Sequence, residues 1–231
     1  FAGLNYSGKR ADGTSALSLD GSPISGHFFG QSSFASSVIA HQRSVVKVTT
    51  ELPVAVLGAL GCSVQTGAGA IIRSLQCESS TRLVVIGAGP VGISAVLGGL
   101  LRGCAEIHVV DPVPARRALA LEMGATTALD PTASGFQNQF RQLAKRGIDY
   151  FLDTSGNMQA IQNALEHVGP LSKIGLVGVP ADRSAEISAK VLHLLHYGVT
   201  VRGIVEGDAD PHQFIPELLS YHAAGLFPFE K

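Results

Sequence analysis

The sequence is poor in charge. Only 15% of its 231 residues are Asp, Glu, Lys or Arg, and 17 basic against 18 acidic residues leave a formal net charge of −1. A chain so balanced makes no electrostatic case for nucleic acid or an anionic membrane surface as a partner. Cysteine is scarce: Cys62, Cys77 and Cys104 form neither a disulfide framework nor a C-x-x-C pair. No long hydrophobic run stands out; the longest is broken by glycine and reads as too short to span a bilayer. No secretory signal opens the chain. These absences together predict a cytoplasmic setting without a membrane partner. Internal repeats and low-complexity segments are also lacking, and nothing follows from the absence of Trp.

Apolar residues are plentiful, at 45%, and so is glycine, with 27 residues. The length suits one large or two small units with a sizeable core. The glycines concentrate their meaning in one stretch, Arg82-Leu-Val-Val-Ile-Gly87-Ala-Gly89-Pro-Val-Gly92. A short β-branched run feeds directly into G-x-G-x-x-G. A second apolar run, Glu106-Ile-His-Val-Val-Asp111, ends on an acid 19 residues after Gly92. Strand, glycine triplet, helix and distal acid in that order form a dinucleotide-binding fingerprint.

Each residue type has a physical task. Gly87 permits the tight turn, Gly89 lets bare backbone approach a pyrophosphate, and Gly92 allows helix and strand to touch. Pro90 fits the first helical turn, where its missing N–H costs nothing. With Val91, these residues put free N–H groups and the positive end of a helix dipole against the diphosphate. Asp111 can accept hydrogen bonds from the adenosine ribose, and its charge repels a 2′-phosphate. NAD is therefore expected over NADP, with Arg116 and Arg117 near enough in sequence to soften the preference.

From Arg82 onward, strand and helix patterns alternate. Strands are expected at 83–86, 107–110, 126–129, 148–152, 172–177 and 200–203, separated by helices. Six parallel-type strands imply a doubly wound α/β sheet in the order 3-2-1-4-5-6, with the ligand crevice at the strand carboxyl ends. Those ends carry small or glycine-flanked residues: Ser155-Gly156, Gly178-Val179 and Ile204-Val205. Their coincidence on one sheet edge reads as a cofactor bed. Residues 1–44 differ, being Gly- and Ser-rich with turn signals at Asp12-Gly13 and Asp20-Gly21. A strand is expected at 45–48, and two helices at 53–60 and 64–75.

These motifs, with Gly61-Cys62-Ser-Val-Gln-Thr66-Gly67 and the stretches Leu4–Leu17, Phe29–Phe34, Val177–Pro180 and Gly203–Gly207, resemble the zinc-dependent medium-chain alcohol dehydrogenases, nearest their aryl alcohol branch. The resemblance spans essentially the whole chain. It implies a GroES-like catalytic domain and a Rossmann domain: residues 1–63 as part of the first, 64–205 as the NAD-binding domain, and 206–231 as a truncated return. It implies hydride transfer between a primary, aryl-type alcohol and NAD, with an alcohol or aldehyde as the small-molecule partner. Cys62 falls on the family's catalytic-zinc cysteine and Thr66 on the hydroxyl beside the nicotinamide. Phe28 and Phe29 fall on substrate-pocket positions. The nucleotide-binding set implied is Gly87, Gly89, Pro90, Val91, Gly92, Asp111, Arg116, Ser155, Gly178, Val179, Ile204 and Val205.

Cys62 by itself cannot fix a catalytic zinc, which takes three protein ligands. The resemblance places the other ligands upstream of Phe1, so the chain is expected to bind NAD yet be catalytically incomplete. His193 and His196, at i and i+3 on one short helix, read as ordinary surface or core residues, and Cys77 and Cys104 as small buried apolar ones. A non-catalytic dinucleotide-binding module is the alternative reading. The Cys62 context argues against a zinc-independent quinone reductase. The apolar 199–204 run suggests a homo-oligomer built through the sixth-strand edge.

Overall fold

The computed structural model describes residues 7–10, 12–26, 36–38 and 40–231. They divide into two compact units, residues 1–50 and 51–231. The first holds an antiparallel hairpin of β1 (Leu17–Leu19) and β2 (Ser22–Ile24). Asp20 and Gly21 both take positive φ, 49° and 77°, which is the two-residue turn that a Asp-Gly pair favours between twisted strands. The strand expected at 45–48 is not formed: those residues join no ladder among the described residues.

The second unit is a six-stranded parallel sheet with helices packed on it. Its strands are β3 (Arg82–Ile86), β4 (Glu106–Val110), β5 (Thr127–Leu129), β6 (Tyr150–Asp153), β7 (Lys173–Leu176) and β8 (Thr200–Gly203), in the order β5-β4-β3-β6-β7-β8. Every neighbouring pair is parallel. The order reverses between β3 and β6, and in such sheets that switch point opens a crevice at the strand carboxyl ends. The doubly wound Rossmann-type sheet expected from the alternating pattern is the one found.

Side chains alternate across the sheet. Val84, Ile86, Phe151 and Ile174 face a core completed by Phe136 and Phe140 of α4 (Phe136–Lys145) and by Ile161, Ala164 and Leu165 of α5 (Met158–His167). Leu83 and Ile107 meet α2 (Pro90–Leu101) on the other face, where a Cβ on Gly99 would lie 3.0 Å and 2.9 Å from their side chains. Such runs, buried on both faces, explain why these strands read as continuous apolar segments.

The two helices expected at 53–60 and 64–75 are one continuous helical segment, α1 (Val54–Ser74). It widens to i→i+5 turns at Leu60–Val64 and Ala70–Ser74. At 21 residues and a mean hydropathy of 1.6 it is long and apolar enough to cross a membrane by length and composition. This corrects the expectation that no run is long enough. The physical reason for its apolarity lies in its packing. A Cβ on Gly67 would sit 2.0 Å from the Val91 carbonyl, and Gly98 packs on Ala68, so α1 and α2 approach almost backbone to backbone. Ser94 ties them, donating to Val64 O at 2.5 Å and accepting from Ala68 N at 3.2 Å.

The remaining helices are α3 (Pro114–Glu122), α6 (Val191–Tyr197) and α7 (Pro211–Ala223). Asp210 caps α7 by accepting from His212 N, and Gly198 ends α6 in the left-handed region.

Candidate dinucleotide site

The turn from β3 into α2 is shaped by contacts that only glycine tolerates. Gly87 has φ +91°, and a Cβ there would lie 2.6 Å from Thr154 Oγ1. A Cβ on Gly92 would lie 1.9 Å from the Gly87 carbonyl, so helix and turn are in van der Waals contact. Gly89 is different. Its φ of −72° suits any residue, and no atom of the described residues lies within 4 Å of where its Cβ would be. The space in front of Gly89 is open, and it belongs to a cavity of about 720 Å³ at the carboxyl ends of the strands. Gly87, Gly89, Pro90, Val91, Asp111, Arg116 and Ser155 all line that cavity. Gly92 stands behind the turn, buried.

Asp111 does more than the sequence pattern suggested. Its side chain is 2% exposed, and Oδ2 accepts from the Ala88 N–H at 2.8 Å while Oδ1 accepts from the Val113 N–H at 2.7 Å. The acid thus pins the glycine turn to the end of β4. Arg116 approaches Oδ2 at 3.9 Å from the cavity side. Arg117 turns elsewhere, donating to the Asp111 carbonyl at 2.8 Å and pairing with Asp130 at 3.1 Å.

A second buried acid organises the end of β6. Asp153 is fully buried and accepts from Ser155 N, Ser155 Oγ and Gly156 N. Gly178 packs so closely that a Cβ would lie 2.0 Å from Gly156 N. Sequence reasoning noted this strand end but missed that its acid folds back as a brace; an Asp preceding Thr-Ser-Gly was the available signal.

The remaining expected residues do not line the cavity. Gly178 and Val179 follow β7 and Ile204 and Val205 follow β8, with Val179 and Val205 exposed and Ile204 buried. Next to them stands a group on α1. Cys62 and Thr66 both face Glu206: Sγ lies 4.0 Å from Glu206 Oε1, and Thr66 Oγ1 donates to Oε2 at 3.4 Å. Gln65 Nε2 donates to Oε2 at 3.2 Å and to the Gly61 carbonyl at 2.9 Å. Desolvation pushes the Cys62 thiol above its ordinary value, and the Glu206 carboxylate adds to that push. Glu206 was missed by sequence reasoning, which weighed its strand end for backbone alone. Phe28 and Phe29 lie outside the described residues.

Of the other cysteines, Cys77 keeps the buried apolar reading and Cys104 departs from it. Cys77 is buried but Cys104 is only partly so. The Cys77 side chain hydrogen-bonds to Cys104 and, with Thr81, draws the Cys104 thiol down to about 7, while Cys77 is driven well above the usual thiol range by burial. His193 stacks edge-on against Tyr197 at 4.7 Å. Among the described residues, no group of three or more His, Cys, Asp and Glu is placed to hold a metal ion.

This arrangement has clear relatives. Residues 90–221 match the family model described as zinc-binding dehydrogenase. Geraniol dehydrogenase of Castellaniella defragrans is 44% identical over 99% of the chain, which spans 61% of that protein. Among solved structures, an alcohol dehydrogenase zinc-binding domain protein from Burkholderia ambifaria is 41% identical at a TM-score of 0.91, and covers 100% of this chain with 62% of its own. Benzyl alcohol dehydrogenase from Acinetobacter calcoaceticus is 36% identical, also at 0.91, with 100% and 62% covered. The chain therefore spans less than two thirds of these relatives. Glycine turn, parallel sheet and matched residues agree: the chain belongs to the zinc-binding dehydrogenase family.

Proposed function

We propose that this chain forms the cofactor-binding part of an NAD-dependent alcohol dehydrogenase. One observation carries the reading. Bare backbone at Gly89 faces an open cavity of about 720 Å³, at a helix N-terminus, with the Asp111 carboxylate beside it. A diphosphate fits the first feature, since free N–H groups and the helix dipole favour anions. A ribose beside a carboxylate fits the second, and the Asp111 charge disfavours a 2′-phosphate. Bound there, NAD supplies the chemistry of hydride acceptance and release. The residues orient it: Gly92 and Gly87 hold the turn, Ser155 and Arg116 flank the adenosine side, and the backbone at Gly178, Val179, Ile204 and Val205 lines the ends of β7 and β8.

The described residues do not complete the zinc site that the family name implies. A catalytic zinc takes three protein ligands, whereas Cys62 and Glu206 supply at most two donors here. The reading therefore rests on the dinucleotide. Names of relatives point to the substrate class: geraniol and benzyl alcohol are both primary alcohols with unsaturation next to the carbinol carbon. An alcohol of that kind is proposed here, with Thr66 beside the reacting ring and Phe28 and Phe29 in the pocket. Residues 1–63 would then be part of a GroES-like catalytic domain, and residues 206–231 would return to it.

A non-catalytic dinucleotide-binding module is the second reading, favoured by the lack of three grouped ligands among the described residues. Metal analysis of the longest natural form of the protein separates the two: zinc held through Cys62 supports the enzyme. Self-association through β8 is also proposed. That strand is largely exposed, and Val191, Leu192 and Leu195 of the neighbouring α6 are 67–70% exposed. Sedimentation reads it.

The central test is equilibrium binding of NADH, with Gly89→Val and Asp111→Ala as comparisons. Wild type is expected to bind, and each variant to lose at least about tenfold in affinity, or about 1.4 kcal/mol. Unchanged affinity in both variants would overturn the assignment.

A further inference from the structure

The backbone at Glu206 is strained. Glu206, Gly207 and Asp208 take φ of +51°, +70° and +51° in succession, and two of the three are not glycine. A left-handed residue with a side chain crowds its Cβ against the following carbonyl, and such outliers persist only where the surroundings enforce them. The enforcement is visible. Asp208 accepts from Ser74 Oγ at 2.7 Å and pairs with Arg202 at 2.9 Å. Gly207 packs on Gly69 of α1, so closely that a Cβ on Gly69 would lie 2.9 Å from Gly207 Cα. The result of this strain is one placement: the Glu206 carboxylate turned onto Cys62, Gln65 and Thr66.

Gln65 adds an independent observation. It is 4% exposed, and both partners of Nε2 are acceptors, which fixes the orientation of the amide. That leaves Oε1 buried without a partner among the described residues. A buried acceptor left unpaired among polar side chains calls for a donor. The place therefore offers a negative charge together with a free acceptor, and suits a group that is cationic and carries N–H donors.

The fold says which part of a dinucleotide arrives there. On the dinucleotide reading, the cavity at Asp111 would take the adenosine half over β4 and β5, and the second half would cross the switch point to the ends of β6, β7 and β8. Glu206 follows β8 directly. A nicotinamide ring has both properties the place requires. It is a pyridinium cation when oxidised, it bears a carboxamide N–H₂, and it becomes neutral on accepting a hydride, that is, two electrons and one proton.

Resting on the dinucleotide reading above, we propose that Glu206 is a specificity residue for the redox state of the cofactor: its carboxylate favours the cationic ring of NAD⁺ over the neutral ring of NADH, with Gln65 Oε1 accepting from the carboxamide. Opposite unit charges a few ångströms apart near a protein surface attract enough to matter at this scale. The sense is fixed by charge alone. Removing the carboxylate weakens NAD⁺ binding and spares or strengthens NADH binding.

The test measures dissociation constants for NAD⁺, NADH and adenosine diphosphate ribose, which lacks the ring, on wild type and Glu206→Gln. Glu206→Asn is run beside it, because asparagine tolerates the left-handed region if the glutamine variant folds poorly. The ratio of the NAD⁺ to the NADH dissociation constant is expected to rise about tenfold, with adenosine diphosphate ribose unaffected. A folded variant with an unchanged ratio overturns the proposal, as does a parallel loss of all three ligands, which marks a structural role only. If wild type binds none of the three, the dinucleotide reading itself falls and this inference with it.

Discussion

The two ends of the crevice hold their acids in opposite ways. Asp111 is buried, lies on a regular strand end, and spends both oxygens on backbone N–H groups. Glu206 sits on a strained turn, and its partners are side chains of a neighbouring helix. The strands differ likewise: β3 and β4 are buried along nearly their whole length, β8 hardly at all. The end at Asp111 is braced by backbone N–H groups, which on the proposed reading would suit the adenosine, the part of the cofactor that never changes. The end at Glu206 is made of side chains, which on the proposed reading would suit a ring whose charge changes as it takes up a hydride.

Substitutions at neighbouring glycines sharpen that contrast most. Gly92→Ala forces a Cβ to 1.9 Å from the Gly87 carbonyl, and overpacking of this severity against backbone is expected to cost about 3 kcal/mol or more. Gly89→Ala meets no atom within 4 Å. It should leave the unfolding midpoint within about 0.5 kcal/mol of wild type, yet lower NADH affinity at least about tenfold. Urea unfolding and NADH titration of both variants read the difference. A Gly89→Ala protein that binds normally would break the claim that its open face serves a ligand.

His108 tests how closed the β4 side is. It is 1% exposed, bonded through Nδ1 to Thr127 Oγ1 at 2.9 Å, and burial lowers its pKa. The neutral ring is therefore the form the fold prefers. The unfolded chain binds that proton first, so the stability this burial protects is complete above about 6.5, the ordinary histidine value, and is lost as pH falls below it. Wild type should lose stability between pH 7 and 5 more steeply than His108→Gln, by urea midpoints at each pH. Equal slopes would show that this ring is not a source of the dependence.

The cysteines give the smallest effect. Beside Glu206, desolvation and the carboxylate push the Cys62 thiol up; just before β4, the hydrogen bond from Cys77 and a second from Thr81 draw Cys104 down to about 7. Iodoacetamide at pH 7.5, followed by peptide mass analysis, should modify Cys104 ahead of Cys62, since the thiolate is the nucleophile. The reverse order would remove the electrostatic difference between the two sides.

Much of this was readable in the chain. The β3–β4 region follows from local rules: β-branched runs make buried parallel strands, glycine alone permits φ +91° at position 87, and Asp-Gly closes the β1–β2 hairpin. The helix over 54–74 was harder. Its Gly-rich composition reads as two helices with a break, because intrinsic propensity penalises glycine; packing against α2 overrides that penalty where only glycine lets the backbones meet.

What the sequence determined by itself is therefore whatever depends on neighbours along the chain: the alternation of strand and helix, from which the sheet follows, and the glycine turn on which the dinucleotide reading rests. Tertiary structure alone decided what depends on residues far apart. It brought Glu206 onto Cys62, 144 positions away, left Gln65 Oε1 without a partner among the described residues, and made Asp111, expected to accept from a ribose, a brace for the glycine turn as well. Local preferences act over a few bonds, whereas a charge, an unpaired acceptor or a steric limit acts through space, and only the folded chain settles which atoms are near.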